Sequence, residues 1–531
     1  MTRIHLPGRA RAGLVSLTGA ATAALALHAG PAAASTNQVS LIQDGVALNQ
    51  NPYSDLARMK QIGANTVRVM LNWDTVAPSA HSKRAPRFKA SDPGAYPAGG
   101  WGQWDAIVNA AHTEGIRVEL DIIGAPPRWA EARNVPSHYL RSDYGWEPNA
   151  GDYGQFVRAV ATRYSGHFKP AGASTPLPKV SLFSLWNEPN NGQALGPQNI
   201  GATKKSSGYL QAPRYYRAML RTGYGALRHT AKGATILFGE LAPDGKGPYH
   251  TTRRLPFGLP GQVSISAPGT YVRTLYCLNS SYRPLTGRAA SIAGCPSSAR
   301  ARRSFVRQNP ALFHASAFAM HPYASHYAPV TKSRAIPRND FPFPVIGRLE
   351  STLTRVTGFW HHRRRYNIWS TEFGYVTSPP QTDKGGPPYP SPVQAAIYLN
   401  ESEYLSYRNP RIASYAQYLL NDPAKLKNTG LFASGLYTDR GAAKPALTAY
   451  RMPVWLPKQR VKKGQSALIW GGARPAPAGY AATKTRQQVQ VQQRQGGAWQ
   501  TIATVTVSRT TGYFTTHYRF TRSGSVRLAY S

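Results

Sequence analysis

The chain has 531 residues, 41% of them hydrophobic and 11% aromatic, and its 63 Lys and Arg outnumber 23 Asp and Glu. This length exceeds one average domain and fits a large domain followed by a small one. The formal net charge of +40 makes nucleic acid the first partner to consider. No nucleic-acid-binding motif occurs in the sequence, so nucleic acid is not predicted as a partner.

Residues 1–34 have the pattern of a secretory signal peptide. Three arginines, the last of them Arg11, precede a short apolar stretch from Gly13 to Leu27, and small residues before Ser35 provide a cleavage site. The apolar stretch is too short and too rich in Ala and Gly for a good membrane span, and an uncleaved anchor is the alternative. We therefore expect a secreted, extracellular protein with no membrane span after cleavage.

Between residues 38 and 453, apolar strand-like runs alternate with amphipathic helical stretches. Three of the helical stretches end at a glycine that leads into a β-branched run, and glycine past a helix end supplies a left-handed cap. This alternation indicates an α/β fold, and eight strands predict a (β/α)8 TIM barrel. The predicted strands are Val39–Ile42, Thr66–Leu71, Arg117–Ile122, Val180–Leu185, Thr235–Phe238, Ala315–Met320, Asn367–Ser370 and Ser414–Tyr418.

Residues 458–531 have a different pattern, in which short runs alternate between apolar and polar residues. Gly496 and Gly497 separate two of these runs, which is typical of a β-hairpin turn. We predict a small all-β sandwich here, which resembles the immunoglobulin-like modules appended to exported bacterial enzymes. As an accessory module, it is expected to be dispensable for any chemistry in residues 38–453.

The only cysteines are Cys277 and Cys295, both in a polar, loop-like stretch. Two cysteines in an exported chain predict one disulfide bond. No Cys/His spacing indicates a zinc site, and neither a metal nor another cofactor is predicted.

Two short motifs place a glutamate where a buried strand opens into a loop. Glu188 lies in Trp-Asn-Glu-Pro-Asn after the fourth predicted strand, and Glu372 lies in Ser-Thr-Glu-Phe-Gly after the seventh. The two motifs are too far apart for a local pairing such as a helix-face contact, and only a fold that gathers strand ends can bring them together. A pair of carboxylates facing one bond is the minimum equipment for cleaving a glycoside.

These motifs resemble glycoside hydrolase clan A, whose members are (β/α)8 retaining glycosidases with catalytic glutamates after strands four and seven. Arg68 on the second strand and the His321-Pro322-Tyr323 segment after the sixth also match the clan. The segment from Gly124 to Ala130 is most similar to the family 5 and family 39 branches. The resemblance covers roughly residues 38–453.

The resemblance implies a role for each of these residues. Glu188 is expected to be the general acid/base, with Asn187 holding the sugar 2-hydroxyl, and Glu372 the nucleophile. Arg68 and Tyr323 are expected to bind Glu372 and keep it ionised. The alternatives are a loop cap or salt bridge for Glu188, a plain buried ion pair for Arg68, and core packing for Tyr323. His321 is either a substrate-binding residue or a satisfied core histidine.

Four further residues at strand ends are candidates for substrate binding. Trp73, Trp129 and Trp186 could stack on sugar faces, and packing of loops over the barrel is the alternative for each. Many clan members have a tryptophan at the end of strand eight, where this chain has Gln417 or Tyr418. Gln417 is therefore predicted to line the central subsite. Glu240, which ends the fifth strand, is expected to form an ion pair more readily than to bind a sugar hydroxyl.

Together, these features predict a secreted, monomeric retaining β-glycoside hydrolase acting on a polysaccharide or oligosaccharide by double displacement. The surplus of basic residues is expected to form a solvated surface, with attraction to an anionic cell-wall polymer as the alternative. Two other functions remain open. One is a transglycosylase that uses the same glutamates, and the other is a non-catalytic cell-wall or polysaccharide-binding protein.

Overall fold

The computed structural model of the chain describes residues 2–4, 35, 37–136, 145–202, 207–245, 264–382, 387–426, 431–475, 487–507 and 511–530. The predicted signal peptide and its cleavage site fall almost wholly outside the described residues. No helix within the described ranges is long and apolar enough to cross a membrane.

β-strands form the barrel of the first domain and the sheets of the second. In chain order, those of the described residues are β1 (Thr2–Ile4), β2 (Val39–Gln43), β3 (Thr66–Asn72), β4 (Arg117–Ile123), β5 (Leu182–Leu185), β6 (Asn199–Ala202), β7 (Ser207–Leu210), β8 (Thr235–Leu241), β9 (Ala317–Met320), β10 (Ile368–Ser370), β11 (Ile412–Tyr418), β12 (Val454–Trp455), β13 (Ser466–Gly472), β14 (Gln487–Gln495), β15 (Ala498–Val507), β16 (Tyr513–Arg519) and β17 (Gly524–Tyr530).

Eight parallel strands close into a barrel in the order β2, β3, β4, β5, β8, β9, β10, β11, with β11 pairing back to β2. All eight predicted strands are present, so the predicted barrel is confirmed. The strands are almost wholly buried because helices cover their outer side, which is why they are continuous apolar runs in the sequence. β6 and β7 form a separate antiparallel hairpin in the segment after β5.

Helices lie between successive barrel strands, and a last one follows β11 and leads into β12. They are α1 (Gly45–Gln50), α2 (Pro52–Gln61), α3 (Trp73–Val76), α4 (Gly102–Thr113), α5 (Ala150–Arg163), α6 (Ala212–Thr230), α7 (Pro268–Leu275), α8 (Gly287–Ile292), α9 (Ala299–Gln308), α10 (Ala311–His314), α11 (Gly347–Phe359), α12 (Pro392–Arg408) and α13 (Pro445–Arg451).

Local sequence signals set several of the helix starts. Asn149 accepts hydrogen bonds from the backbone N–H groups of Gly151 and Asp152 at the start of α5. Ser391 caps α12 in the same way, and Pro392 occupies its first position. Side-chain caps of this kind satisfy N–H groups that have no partner within the helix, and proline there gives up no hydrogen bond.

The C-terminal domain is a sandwich of two antiparallel sheets. One sheet has the order β12-β13-β16 and the other β1-β17-β14-β15. Gly496 and Gly497, both at positive φ, turn the chain between β14 and β15 as predicted. β12 begins at Val454, so the sandwich takes up its first strand four residues before the predicted start of the module.

The sandwich includes a strand from the N-terminus. Thr2–Ile4 pairs antiparallel with Gly524–Val526 of β17 and forms the edge of the four-stranded sheet. Cleavage of a signal peptide before Ser35 would remove this strand and leave β17 at the edge. The sheet would then still have three strands.

The cysteines form one disulfide bond, Cys277–Cys295, as predicted. It joins the C-terminal end of α7 to the residues after α8. Arg217 of α6 donates to the carbonyl groups of Leu275, Ala293 and Gly294, on both sides of the bond. The insert is thus attached to the barrel by a covalent link and by a buried guanidinium group.

Candidate active site

The two motif glutamates meet at the C-terminal edge of the barrel. Glu188 follows β5 and Glu372 follows β10, and the carboxyl ends of parallel strands lie at one end of a barrel. A carboxylate oxygen of each residue and a ring nitrogen of His321 all lie within 4.8 Å of one another. Glu372 is buried, and 21% of the Glu188 side chain is exposed.

Two donors hold the carboxylate of Glu372. The Arg68 Nη1 atom lies 2.6 Å from its Oε1 atom, and the Tyr323 hydroxyl donates to its Oε2 atom at 2.9 Å. Both partners are the residues predicted for this purpose. A cation and a hydrogen-bond donor at these distances fix the position of the carboxylate.

Arg68 is at the centre of a larger buried cluster. Its guanidinium lies 2.6 Å from Asp121, 3.2 Å from Glu119 and 3.3 Å from Glu240, and it donates to Asn187 Oδ1 at 2.9 Å. Because Arg68 occupies the amide oxygen of Asn187, the amide NH2 group of Asn187 is the group that can bind a ligand. Since Arg68 is fully buried and also binds Glu372, it is more than a partner in a single ion pair.

His321 lies between the two motif glutamates and the buried Glu240. Its Nδ1 atom lies 3.0 Å from Glu188 Oε1 and 3.6 Å from Glu372 Oε2, and its Nε2 atom lies 2.9 Å from Glu240 Oε2. Both ring nitrogens therefore face carboxylates, an arrangement that suits the imidazolium, in which both nitrogens are donors. Burial lowers the pKa of His321, but Glu372, Glu188 and Glu240 raise it to about 10.

The neighbours also set the ionisation of Glu188 and Glu240. Burial raises the pKa of Glu188, but hydrogen bonds from His321 and Asn191, together with the His321 charge, bring it below its ordinary value. The Asn191 amide donates to Glu188 Oε2 at 3.0 Å. Burial likewise raises the pKa of Glu240, and Arg68 and His321 lower it to about 2.

The two acids of β4 behave in the opposite way. Burial and the charge of Glu240 raise the pKa of Glu119 well above its ordinary value, more than Arg68 lowers it. Burial raises the pKa of Asp121 to about 7 against the charge of Arg68. The two acids of β4 thus favour the protonated form, whereas Glu188 and Glu240, which contact His321, favour the ionised form.

Glu188, His321 and Glu372 are also close enough together to offer three ligand atoms to a metal ion. A cation there would lie beside the Arg68 guanidinium, which is 2.6 Å from Glu372. Metal binding would also require an unprotonated Nδ1 atom on His321, whereas the two carboxylates that face this nitrogen favour its protonated form. The donor set therefore fits proton transfer better than metal binding.

The backbone at the site is strained. Trp186, Glu188 and Glu240 have φ values of 72°, 42° and 46°, in the left-handed region that side chains other than glycine seldom adopt. Such conformations cost of order 1 kcal/mol or more each and are found where a site requires a particular side-chain direction. The strain here coincides with the carboxylates that face His321.

Two of the three predicted tryptophan platforms need correction. Trp73 and Trp186 are 0% and 1% exposed, so neither ring can stack on a sugar. Trp73 stacks on Phe156, and the Trp186 indole N–H donates to a backbone carbonyl while its ring packs on Tyr153. The packing alternative therefore holds for both.

Trp129 is only partly buried. Its ring meets Trp73 and Phe88 edge to face, and its indole N–H donates to the carbonyl of Pro78 at 3.0 Å. These contacts place it in the loops over the barrel. A substrate-binding role for Trp129 stays a prediction.

The prediction for Gln417 also needs correction. This side chain is buried, and its amide donates to the carbonyls of Tyr418, Leu419 and Ser434. It therefore supports the loop after β11. The neighbouring Tyr418, whose ring meets Tyr323 edge to face, lies beside the site instead.

Several site residues were not predicted from the sequence. Glu119 and Asp121 are two residues apart on β4, and both point into the barrel because strand side chains alternate between faces. Two acids with this spacing in an apolar strand were the available signal. Gln43 on β2, which accepts a hydrogen bond from Arg68, had no comparable signal.

A cleft of about 550 Å3 adjoins the carboxylates. Asn191 and Tyr323 line it, and both bind the site glutamates. Asp244 and Asp340 lie farther along the same cleft. Burial and the charge of Asp244 raise the pKa of Asp340 to about 6.

No family model and no curated protein matches this sequence. Solved structures with a similar fold include a family 39 glycoside hydrolase from Bacteroides cellulosilyticus, which aligns over 93% of this chain and 82% of its own, with 12% identity and a TM-score of 0.44. A glucosidase from Croceicoccus marinus aligns over 93% of this chain and 95% of its own, with 11% identity and a TM-score of 0.48. A family 1 β-glucosidase from Thermotoga maritima aligns over 76% of this chain and 85% of its own, with 13% identity and a TM-score of 0.44.

Proposed function

We propose that this protein is a retaining glycoside hydrolase that cleaves β-glycosidic bonds by double displacement. The supporting observation is the approach of the Glu188 and Glu372 carboxylates to within 4.8 Å at the C-terminal edge of the barrel. Retaining glycosidases place their two carboxyl groups about 5–5.5 Å apart, whereas inverting enzymes need roughly 6.5–9.5 Å to admit a water molecule. The resemblance to clan A motifs points to the same chemistry.

In this proposal Glu372 is the nucleophile. Its carboxylate attacks the anomeric carbon and forms a glycosyl ester while the bond from that carbon to the leaving oxygen breaks. The Arg68 guanidinium and the Tyr323 hydroxyl hold the carboxylate in place and orient it. The Asn187 amide, oriented by Arg68, is placed to bind a substrate hydroxyl next to the reacting carbon.

Glu188 is the general acid/base, and His321 supplies its proton in the resting site. The His321 Nδ1–H donates to Glu188 Oε1 at 3.0 Å, so the pair shares one proton between two neighbouring atoms. When the sugar displaces water, the proton moves to Glu188 and on to the leaving oxygen. In the second half-reaction Glu188 takes a proton from a water molecule. The oxygen of this water attacks the anomeric carbon, breaks the glycosyl ester and releases Glu372.

The proposed substrate is a carbohydrate polymer or oligomer, and the proposed location is outside the cell. The disulfide bond supports export, since such bonds persist in oxidising compartments. The 550 Å3 cleft beside the carboxylates is large enough for a part of a glycan chain.

The test uses Glu372→Ala and Glu188→Ala on aryl β-glycosides. Glu372→Ala should lose turnover by a factor of at least about 10⁴, and azide should restore it with release of an α-glycosyl azide. Glu188→Ala should cleave dinitrophenyl glycosides far better than substrates with poor leaving groups, because an activated leaving group needs no proton.

Glu114→Ala is the matched control, because this residue caps the C-terminal end of α4 away from the site. It should leave turnover unchanged. Equal losses of Glu188→Ala on both substrate types would remove the acid/base assignment. A β-glycosyl azide from Glu372→Ala would contradict the nucleophile assignment.

A further inference from the structure

A second large cavity lies between α7 and α11, apart from the glutamate site. It has a volume of about 620 Å3 and is lined by four arginines, Arg273, Arg338, Arg348 and Arg355. Its other lining residues include hydroxyl and amide side chains, and none of the described lining residues is acidic. The volume is within the roughly 300–1,000 Å3 of ligand sites.

Two of the four arginines are fixed by hydrogen bonds. Arg273 is 9% exposed and donates to Asn339 Oδ1 at 2.9 Å. Arg348 donates to the backbone carbonyls of Ser333, Ile336 and Pro337. Neither forms an ion pair with a carboxylate of the described residues.

The other two arginines are at the exposed rim of the cavity. The Arg355 guanidinium lies over the Tyr282 ring, 3.7 Å from its centre, which orients it without neutralising it. Arg338 is exposed on the loop before α11. Burial lowers the pKa of Arg273 more than Tyr282 raises it, and the charges of Arg338 and Arg355 also lower it, so the guanidinium groups repel one another across the cavity.

One segment separates this cavity from the cleft beside the glutamates. In residues 336–342, Arg338, Asn339 and Phe341 line the arginine cavity, while Asp340 and Pro342 line the cleft. The cavity thus lies behind one wall of the cleft, on the same side of the barrel. Its charge is opposite to that of the cleft wall.

We propose that the arginine cavity binds the anionic groups of an acidic glycan. Guanidinium forks match planar carboxylates and sulfates in two-point contacts. The hydroxyl groups of Ser280, Ser281 and Ser351 and the amide of Asn339 are the partners that sugar hydroxyls require. This combination of charges and neutral polar groups fits a sugar acid better than a bare anion. The inference concerns binding and does not depend on the proposed hydrolysis.

The test compares two double variants that each lose two positive charges. Arg338→Ala/Arg355→Ala removes the rim of the cavity, and neither side chain forms a hydrogen bond to the rest of the described chain. Arg363→Ala/Arg365→Ala removes two exposed arginines from the loop between α11 and β10 and is the matched control. Binding of polygalacturonate and of heparin is measured by calorimetry at physiological salt, where weak surface attraction is screened.

We expect the cavity variant to bind at least one of these polymers about tenfold more weakly or worse, and the control to stay within about twofold of the parent chain. Loss for polygalacturonate alone assigns the site to carboxylates, and loss for heparin alone assigns it to sulfates. Equal loss in both variants would show only general charge attraction and would overturn the proposal. So would a single-stranded oligonucleotide that binds as tightly as the glycans and weakens in the same variant.

Cleavage of a small neutral glycoside is measured in parallel. It should be unchanged in both variants, because neither pair contacts Glu188 or Glu372. Loss of glycan binding with unchanged melting temperature supports the cavity site whatever the enzymatic result. An inactive parent chain would contradict the proposed hydrolysis and leave the binding result intact.

Discussion

Arg68 shows how one side chain organises the site. Its guanidinium contacts acids from three different barrel strands or strand ends: Asp121 of β4, Glu240 of β8 and Glu372 after β10. Burial of so much charge is tolerable only because each group has a partner. A lysine has a single charged nitrogen and could not reproduce the planar fork that serves these acids at once.

In the proposed mechanism, His321 determines when Glu188 can act as an acid. The proton that would pass to the glycosidic oxygen is shared by His321 and Glu188, and the pKa of His321 is raised to about 10. Activity that depends on this proton should therefore persist to alkaline pH. His321→Gln keeps a hydrogen-bond donor but cannot hold the charge, so activity should fall off at a pH several units lower. The measurement is the pH dependence of kcat/KM on a substrate with a poor leaving group.

The direction of this shift follows from the groups involved. Without His321, the group that must remain protonated is Glu188 alone, and a carboxyl group loses its proton well below pH 10. A dinitrophenyl glycoside, which needs no acid, serves as the control and should show no such shift. An unchanged alkaline limb on the poor substrate would mean that His321 only packs against the site.

The residues predicted from the sequence are those with a motif around them. Glu188 and Glu372 stand at the ends of apolar runs, where a barrel must place them at one edge. Glu119 and Asp121 were missed because a buried acid needs a partner, and that partner, Arg68, lies on another strand. Only the register of β3 with β4 brings them together.

The tryptophans illustrate the opposite limit. Trp73 and Trp186 are at strand ends, as sugar platforms would be, but their exposure depends on what packs over them. Helix α5 packs Phe156 against Trp73 and Tyr153 against Trp186. Whether a ring is buried depends on tertiary contacts between distant segments, so the local sequence alone does not distinguish a buried tryptophan from an exposed one.

The segment from α7 to α8 is held by the Cys277–Cys295 bond and by Arg217. A disulfide that closes an 18-residue separation stabilises a chain by roughly 3 kcal/mol when the loop is otherwise flexible. Because Arg217 already ties both sides, Cys277→Ser/Cys295→Ser should lower the free energy of unfolding by less than this amount. Urea unfolding with and without reductant measures it.

Activity on a small glycoside should not change in the cysteine variant, since the bond lies outside the glutamate site. The parent chain under reducing conditions is the control and should unfold at the same urea concentration as the variant. Two reactive thiols in the unreduced, unfolded protein would refute the bond itself.

The barrel and the sandwich meet through a buried aromatic and ionic interface. Trp470 and Tyr513 of the sandwich pack on Tyr404 and Tyr407 of α12. Glu403 of α12 pairs with Arg474 and accepts a hydrogen bond from the Tyr513 hydroxyl at 2.6 Å. All of these side chains are almost fully buried. The two domains therefore share stability although the candidate site belongs to the barrel alone.

Removal of the sandwich should separate these two properties. In a chain ending at Leu456, Tyr404 and Tyr407 lose the rings that cover them, and exposing one buried large apolar side chain costs about 1.5–3 kcal/mol. We expect earlier unfolding in urea but unchanged kcat on a small glycoside for the folded fraction, because every assigned site residue precedes residue 453. Glu403→Gln should lower the stability of the full chain, where Arg474 and Tyr513 bind the carboxylate, and leave that of the shortened chain nearly unchanged. If the shortened chain folds but is inactive, the sandwich contributes to the active site. If both chains unfold at the same urea concentration, the interface has no energetic role.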